Sequence, residues 1–166
     1  MNKRRSSEHG PSARLGILVT EYTFLLLNLA VGFYNAGIIW AHEIDIFRSW
    51  KLVGVQDFHR VQAVHWHKLP YWVFTPVGLA LIGAFVLVAY HPAGSPVWAI
   101  GANLGCQVLA LVLTGIFWGR WQARLSRDPA GPRSRYLETI LRTHWLRTLL
   151  INGSALSLLL WTAAVH

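Results

Sequence analysis

Charge is what this sequence has least of. Only 13% of its 166 residues are Asp, Glu, Lys or Arg, roughly half the share usual in soluble domains. So thin a supply of charge does not suit a globular domain that faces water on all sides. Cysteine is nearly absent as well. Cys106 stands alone, which excludes an internal disulfide, and within an apolar run it reads as a small buried side chain. No internal repeat and no second domain is visible. The apolar stretches do not alternate with polar residues, which argues against the strands of a membrane barrel.

What is present is hydrophobic. Apolar residues make up 54% of the chain, and the mean hydropathy is +0.37. Four apolar runs cover about residues 15–40, 70–90, 96–119 and 146–165. Each is close to the ~20 residues that carry a helix across ~30 Å of hydrocarbon. Lipid offers no partner to backbone N–H and C=O groups, so helices and closed barrels alone can span it. The expected fold is therefore all-α: an integral membrane four-helix bundle. Residues 14–166 form a single transmembrane domain behind a disordered basic tail, 1–13. The first run follows Lys3, Arg4, Arg5 and Arg14 as a secretory signal would, but it is too long for one and reads as retained. Between the first two spans, Phe58, Val61, His65 and Leu69 recur at helical spacing. They predict a short amphipathic interfacial helix that Pro70 breaks. Residues 91–96 read as a tight turn, and 127–134 as a loop.

Basic residues orient the spans. The first and third connections hold ten Lys and Arg between them, the tail holds four, and the second connection and the carboxyl end hold none. The positive-inside rule puts the ten in the cytoplasm and both termini outside. The expectation is a multi-pass protein of a bacterial inner membrane. The net charge of +8 belongs to these flanks, so lipid head groups are the expected partners and nucleic acid is not.

Five of the eight histidines, His42, His59, His65, His67 and His144, fall at the cytoplasmic end in this topology. Imidazole is a common metal ligand and titrates near neutral pH. Histidine also sits comfortably at any membrane interface, so the cluster alone does not decide for a site. His65 and His67 are two residues apart and point to different faces of a helix. The Ala41-His-Glu-Ile-Asp45 stretch lacks the second histidine of a zinc-protease motif.

The first helix carries Glu21, Asn28, Asn35 and His42 at intervals of seven residues. Seven residues nearly complete two helical turns, so the four line one face over roughly 31 Å. Polar groups in hydrocarbon are costly, and the stripe is expected to face the bundle interior. It reads either as interhelical hydrogen bonding or as the lining of a path. Gly101, Gly105, Gly153 and Ser157 read as close-packing positions.

Three segments together carry a resemblance. They are Gly32-Phe-Tyr in the first helix, Phe-Trp-Gly-Arg-Trp-Gln-Ala-Arg-Leu at the end of the third, and Thr143-His-Trp-Leu-Arg-Thr148 opening the last. The chain resembles a largely uncharacterised family of four-helix membrane proteins that includes anthrone oxygenase-like members. In that family the last helix opens with a polar residue, often Asn, and then an Arg-Thr pair. His144 stands in the Asn position, and Arg147 and Thr148 match the pair; Gln122 and Leu125 loosely match the Asn or His before a leucine near which the family's third helix usually ends. The resemblance implies a four-helix bundle and, in its oxygenase members, action on polycyclic aromatic substrates.

The leading expectation is a membrane-embedded oxidoreductase or oxygenase-like enzyme. It acts on a hydrophobic small molecule, aromatic in the form the resemblance implies, at a His-rich site near one membrane face. His42 and His144 are the first candidate metal ligands or acid–base groups, with His65 or His67 as a third. Arg147 holds an anionic group of substrate or cofactor, and Asn35 and Thr148 orient it. Trp40, Trp66, Trp118 and Trp145 form an apolar wall. The cofactor is open between haem, a transition metal ion and none. The alternative is a non-catalytic membrane protein, a small carrier or an assembly subunit, whose polar residues serve packing. Both leave room for a homo-oligomer.

Overall fold

The computed structural model describes the backbone of residues 11–165 and side chains from Thr20 onward. The basic tail expected over 1–13 lies outside the described residues up to position 10; the first helix has already begun at Pro11.

Four long helical rods make up the fold, with no strand among the described residues. Helix α1 (Pro11–Ala41) runs on through a π turn (His42–Ile46), a single α turn (Phe47–Ser49) and a 3-10 turn (Trp50–Leu52). Helix α2 (Val55–Leu69) joins α3 (Thr75–Ala89) through a π turn at Pro70–Phe74. Helix α4 (Val97–Leu113) joins α5 (Gly119–Leu125) through a π turn at Thr114–Trp118. Helix α6 (Arg135–Ala164) is the fourth rod. Each rod is long and apolar enough to cross a membrane.

Sequential rods are neighbours, and the fourth closes back on the first and third. The contacts are antiparallel. Gly32 faces Ala155, so closely that a Cβ there would meet Leu158 at 3.2 Å. Asn35 donates to the Pro76 carbonyl at 3.2 Å, and Gly153 lies against Cys106. Gly101 and Gly105 have open space where a Cβ would stand, so they are not the packing positions expected of them. At the 91–96 turn Gly94 takes φ +81, and the Trp161 indole N–H donates to Ser95 Oγ at 2.7 Å.

The interfacial helix expected between the first two spans is not a separate piece. Residues 55–89 form one rod, and Pro70 does not break it. Proline lacks the N–H for a normal helical bond and its ring crowds the preceding turn. Here the π turn absorbs both effects. The Pro70 carbonyl accepts the Thr75 N–H, five residues on, and the Thr75 hydroxyl at 2.6 Å. At the other end of α2, Phe58 is fully buried with Phe47, Trp50, Leu125, Leu137 and Ile140. This aromatic cluster ties the first and third connections together at one end of the bundle.

Candidate functional site

Three of the four residues of the stripe face inward: Asn28, Asn35 and His42 are buried, and Glu21 at the far end is half-buried. Asn28 lies flat against Gly83, where any Cβ would collide with its Oδ1. Beside it, the Ser154 hydroxyl and the Gln107 amide both donate to Asn103 Oδ1, at 2.8 and 3.0 Å. Asn103, unmarked in the sequence, is thus the hub of the buried polar layer.

At the π-turn level three sequence-distant histidines come together. The His42 ring lies 5.5 Å from the His65 ring and 6.5 Å from the His144 ring, and it stacks on Trp72 at 5.3 Å. His144 Nδ1 is 2.8 Å from Glu43 Oε2, and its Nε2 is 2.6 Å from Arg147 Nη2. A guanidinium only donates, so Nε2 must accept and Nδ1 must carry the proton given to the carboxylate. Glu43, His144 and Arg147 form a relay with a fixed tautomer. In it the neutral imidazole separates an acid from a base. His42 Nδ1 donates to the Ile38 carbonyl at 2.9 Å, leaving the lone pair on its Nε2. The Arg147 guanidinium lies 5.4 Å over the Trp118 ring, whose N–H donates to Thr143 at 3.0 Å.

Of these groups His42, His65, Arg147 and Trp118 line one end of a cavity of about 190 Å³ to which all four rods contribute, and His144 and Glu43 stand behind Arg147. Its walls include Ile38, Val77, Leu81 and Leu111, and its polar end is formed by His42, His65, Gln122 and Arg147. An apolar cavity of about 150 Å³ suffices to hold benzene. On its lining are buried polar atoms without a partner among the described residues: Arg147 Nε, His65 Nε2 and Asn35 Oδ1. Such atoms are rare, because each leaves ~1–3 kcal/mol of desolvation uncompensated.

The structure thus brings together His42, His65, His144, Arg147 and Asn35. Thr148 is buried one turn beyond His144, with its hydroxyl on the His144 carbonyl. His67 is exposed and apart from the cavity, as the two-residue spacing from His65 requires. His59 bonds the Ser126 carbonyl instead. Of the tryptophan wall, Trp66 and Trp118 line the cavity, whereas Trp40 and Trp145 are about half exposed (47% and 53%). Both ring nitrogens of His144 are engaged, and among the described residues no three His, Cys, Asp or Glu stand grouped as a metal-ligand set. Glu43 is the functional residue that sequence reasoning passed over. Its signal was its position beside His42 at the end of the polar stripe.

No protein-family model matches the chain, and no match was found among curated proteins or solved structures.

Proposed function

We propose that this chain is a multi-pass integral membrane protein that draws a hydrophobic small molecule into its central cavity and acts on it at the His42–His144–Arg147 end. Four rods long and apolar enough to span support the membrane setting. One observation carries the rest: the lining of an apolar cavity holds buried polar atoms that have no partner among the described residues, Arg147 Nε and His65 Nε2 at the polar end and Asn35 Oδ1 along the wall. Packing alone does not call for unpaired polar atoms on the lining of an apolar space. In this reading His42 Nε2 is the proton acceptor. His144, held by Glu43, positions Arg147, and Asn35 orients the bound molecule. The oxidoreductase or oxygenase class rests on the family resemblance; the geometry supports binding and proton transfer.

The test is the full chain purified in lipid nanodiscs and extracted with organic solvent. A hydrophobic compound should be recovered at a stoichiometry near one. It should be lost from Val77→Phe, which fills the cavity wall while leaving the polar end intact. Recovery of the same compound from both proteins would place it in the surrounding lipid and remove the reading. Absorbance and metal analysis of the same sample decide between haem, a metal ion and neither.

A further inference from the structure

Arg147 is a cation on the cavity wall with no carboxylate in direct contact among the described residues. Neither Glu138 nor Asp45 pairs with it. Glu138 pairs with Arg142 at 2.7 Å, and Asp45 is exposed. Glu43 is held off by the whole width of the His144 ring, which takes one Arg147 nitrogen and returns no negative charge. The Trp118 face covers the guanidinium on one side, and its Nε–H is buried and unpaired. Burying a charge whose partner is neutral is strongly unfavourable unless something else completes the shell. His65 Nε2, also unpaired, lines the same end.

From this polar end the cavity extends along α1 to Gly32, ten residues before His42, or roughly 15 Å at helical rise. Beyond the head region its surface is mostly aliphatic. The charge therefore sits at one end of a long apolar space, which is the shape complement of an amphiphile.

We infer that the molecule held in this cavity is an anionic amphiphile: an apolar body with a carboxylate or comparable planar oxyanion. The oxyanion accepts from Arg147 Nε and from His65. A planar anion suits the fork of guanidinium donors, and the apolar body fills the space toward Gly32. The inference rests on the proposed binding function and adds the charge of the ligand to it.

The experiment compares three probes with one ring system and different heads: naphthoate, naphthalenemethanol and naphthylmethylammonium. Binding to the full chain in zwitterionic nanodiscs is read by quenching of tryptophan fluorescence, with empty nanodiscs as the partition control. A charge-assisted hydrogen bond predicts that naphthoate binds at least about tenfold more tightly than the alcohol, with the cation weakest. In Arg147→Gln that preference should disappear. The wild-type ranking tests the inference even if that variant does not fold. Equal affinity for acid and alcohol would overturn the anionic head and leave the cavity reading standing. Failure of all three to bind above the empty-nanodisc control would overturn both.

Discussion

His144 is gripped from both sides, and each grip fixes the other. The Glu43 carboxylate holds the proton on Nδ1, which makes Nε2 an acceptor, which lets the Arg147 guanidinium approach to 2.6 Å. Removing the carboxylate leaves a buried N–H without a partner and the half-buried Arg147 cation without its distant counter-charge. Glu43→Leu should therefore lower unfolding stability by about 1–3 kcal/mol. Glu43→Gln, whose carbonyl still accepts from Nδ1, should lose markedly less. Thermal unfolding in detergent compares the two, and equal losses would show that Glu43 acts through packing alone. The meeting of His42, His144 and Arg147 was legible in the sequence because an apolar run that ends and another that begins at the same end of an antiparallel bundle lie at the same level. Glu43 was not, because the seven-residue spacing singles out His42 and says nothing of its neighbour. Trp40 and Trp145 were misplaced for a related reason: interfacial depth tells how far along a rod a residue sits, not which way it points.

Regular periodicity carries far along an uninterrupted helix and fails at a π turn. On α1 the seven-residue rule places Asn28, Asn35 and His42 inside, where they are. Continued, it would place Ser49 inside. The π turn at His42–Ile46 takes up an extra residue, so Phe47 and Trp50 are buried instead and Ser49 is exposed. Pro70 and Thr114 mark the matching turns on the second and third rods, and neither residue announces a π turn by its identity. Pairing of rods is more exacting than their periodicity. Asn28 fits only because Gly83 has no side chain, so Gly83→Ala must displace a buried amide that already bonds the Phe24 carbonyl at 2.9 Å. A loss of about 1–3 kcal/mol follows from such overpacking. Gly78→Ala, with nothing within 4 Å of the new methyl, should be neutral; similar losses for both would mean that the two glycines matter for backbone reasons and not for fit.

The start of α6 depends on a loop contact that titrates. Asp128 accepts from the Ser134 hydroxyl at 2.6 Å and from the Ala130 N–H at 3.0 Å, and these bonds hold its carboxyl below the usual aspartate range. Ser134 in turn caps α6 by accepting the Tyr136 N–H at 3.1 Å. A depressed carboxyl pKa contributes order that is complete above the ordinary aspartate value and is lost as pH falls through the folded-state value. Amide exchange at Tyr136, corrected for intrinsic rate, should therefore accelerate on acidification below the ordinary aspartate range. In Asp128→Asn it should be faster already at neutral pH and nearly flat across that window. A variant with the wild-type profile would remove Asp128 from the cap.

At the scale of the whole molecule the charge is lopsided. Arg147 apart, ten of the Lys and Arg residues belong to the first and third connections, and four precede the first apolar run. The aromatic cluster of Phe47, Trp50, Phe58, Leu125, Leu137 and Ile140 holds those two connections at one end of the bundle, so their charges act together. Arg120, Arg124, Arg127 and Arg135 surround one open basin there, where the nearest acid, Asp128, is already engaged by the loop. In the proposed membrane setting the positive-inside rule predicts that this end stays on the cytoplasmic side, with the termini and the 91–96 turn outside and the polar end of the cavity toward the cytoplasm. A cysteine reporter distinguishes the two orientations. Gly131 is unsuitable, since its φ of +54 and its contact with Phe58 would strain any side chain. Ala130 is exposed beside it, and Ala93 in the 91–96 turn is exposed at the opposite end. In a Cys106→Ala background, an impermeant maleimide added to intact cells should label Ala93→Cys, while Ala130→Cys reacts only after the membrane is opened. The reverse pattern would invert the protein in its membrane and bring the cavity's polar end to the outer face. Labelling of both positions in intact cells would mean that the four rods do not all cross the membrane.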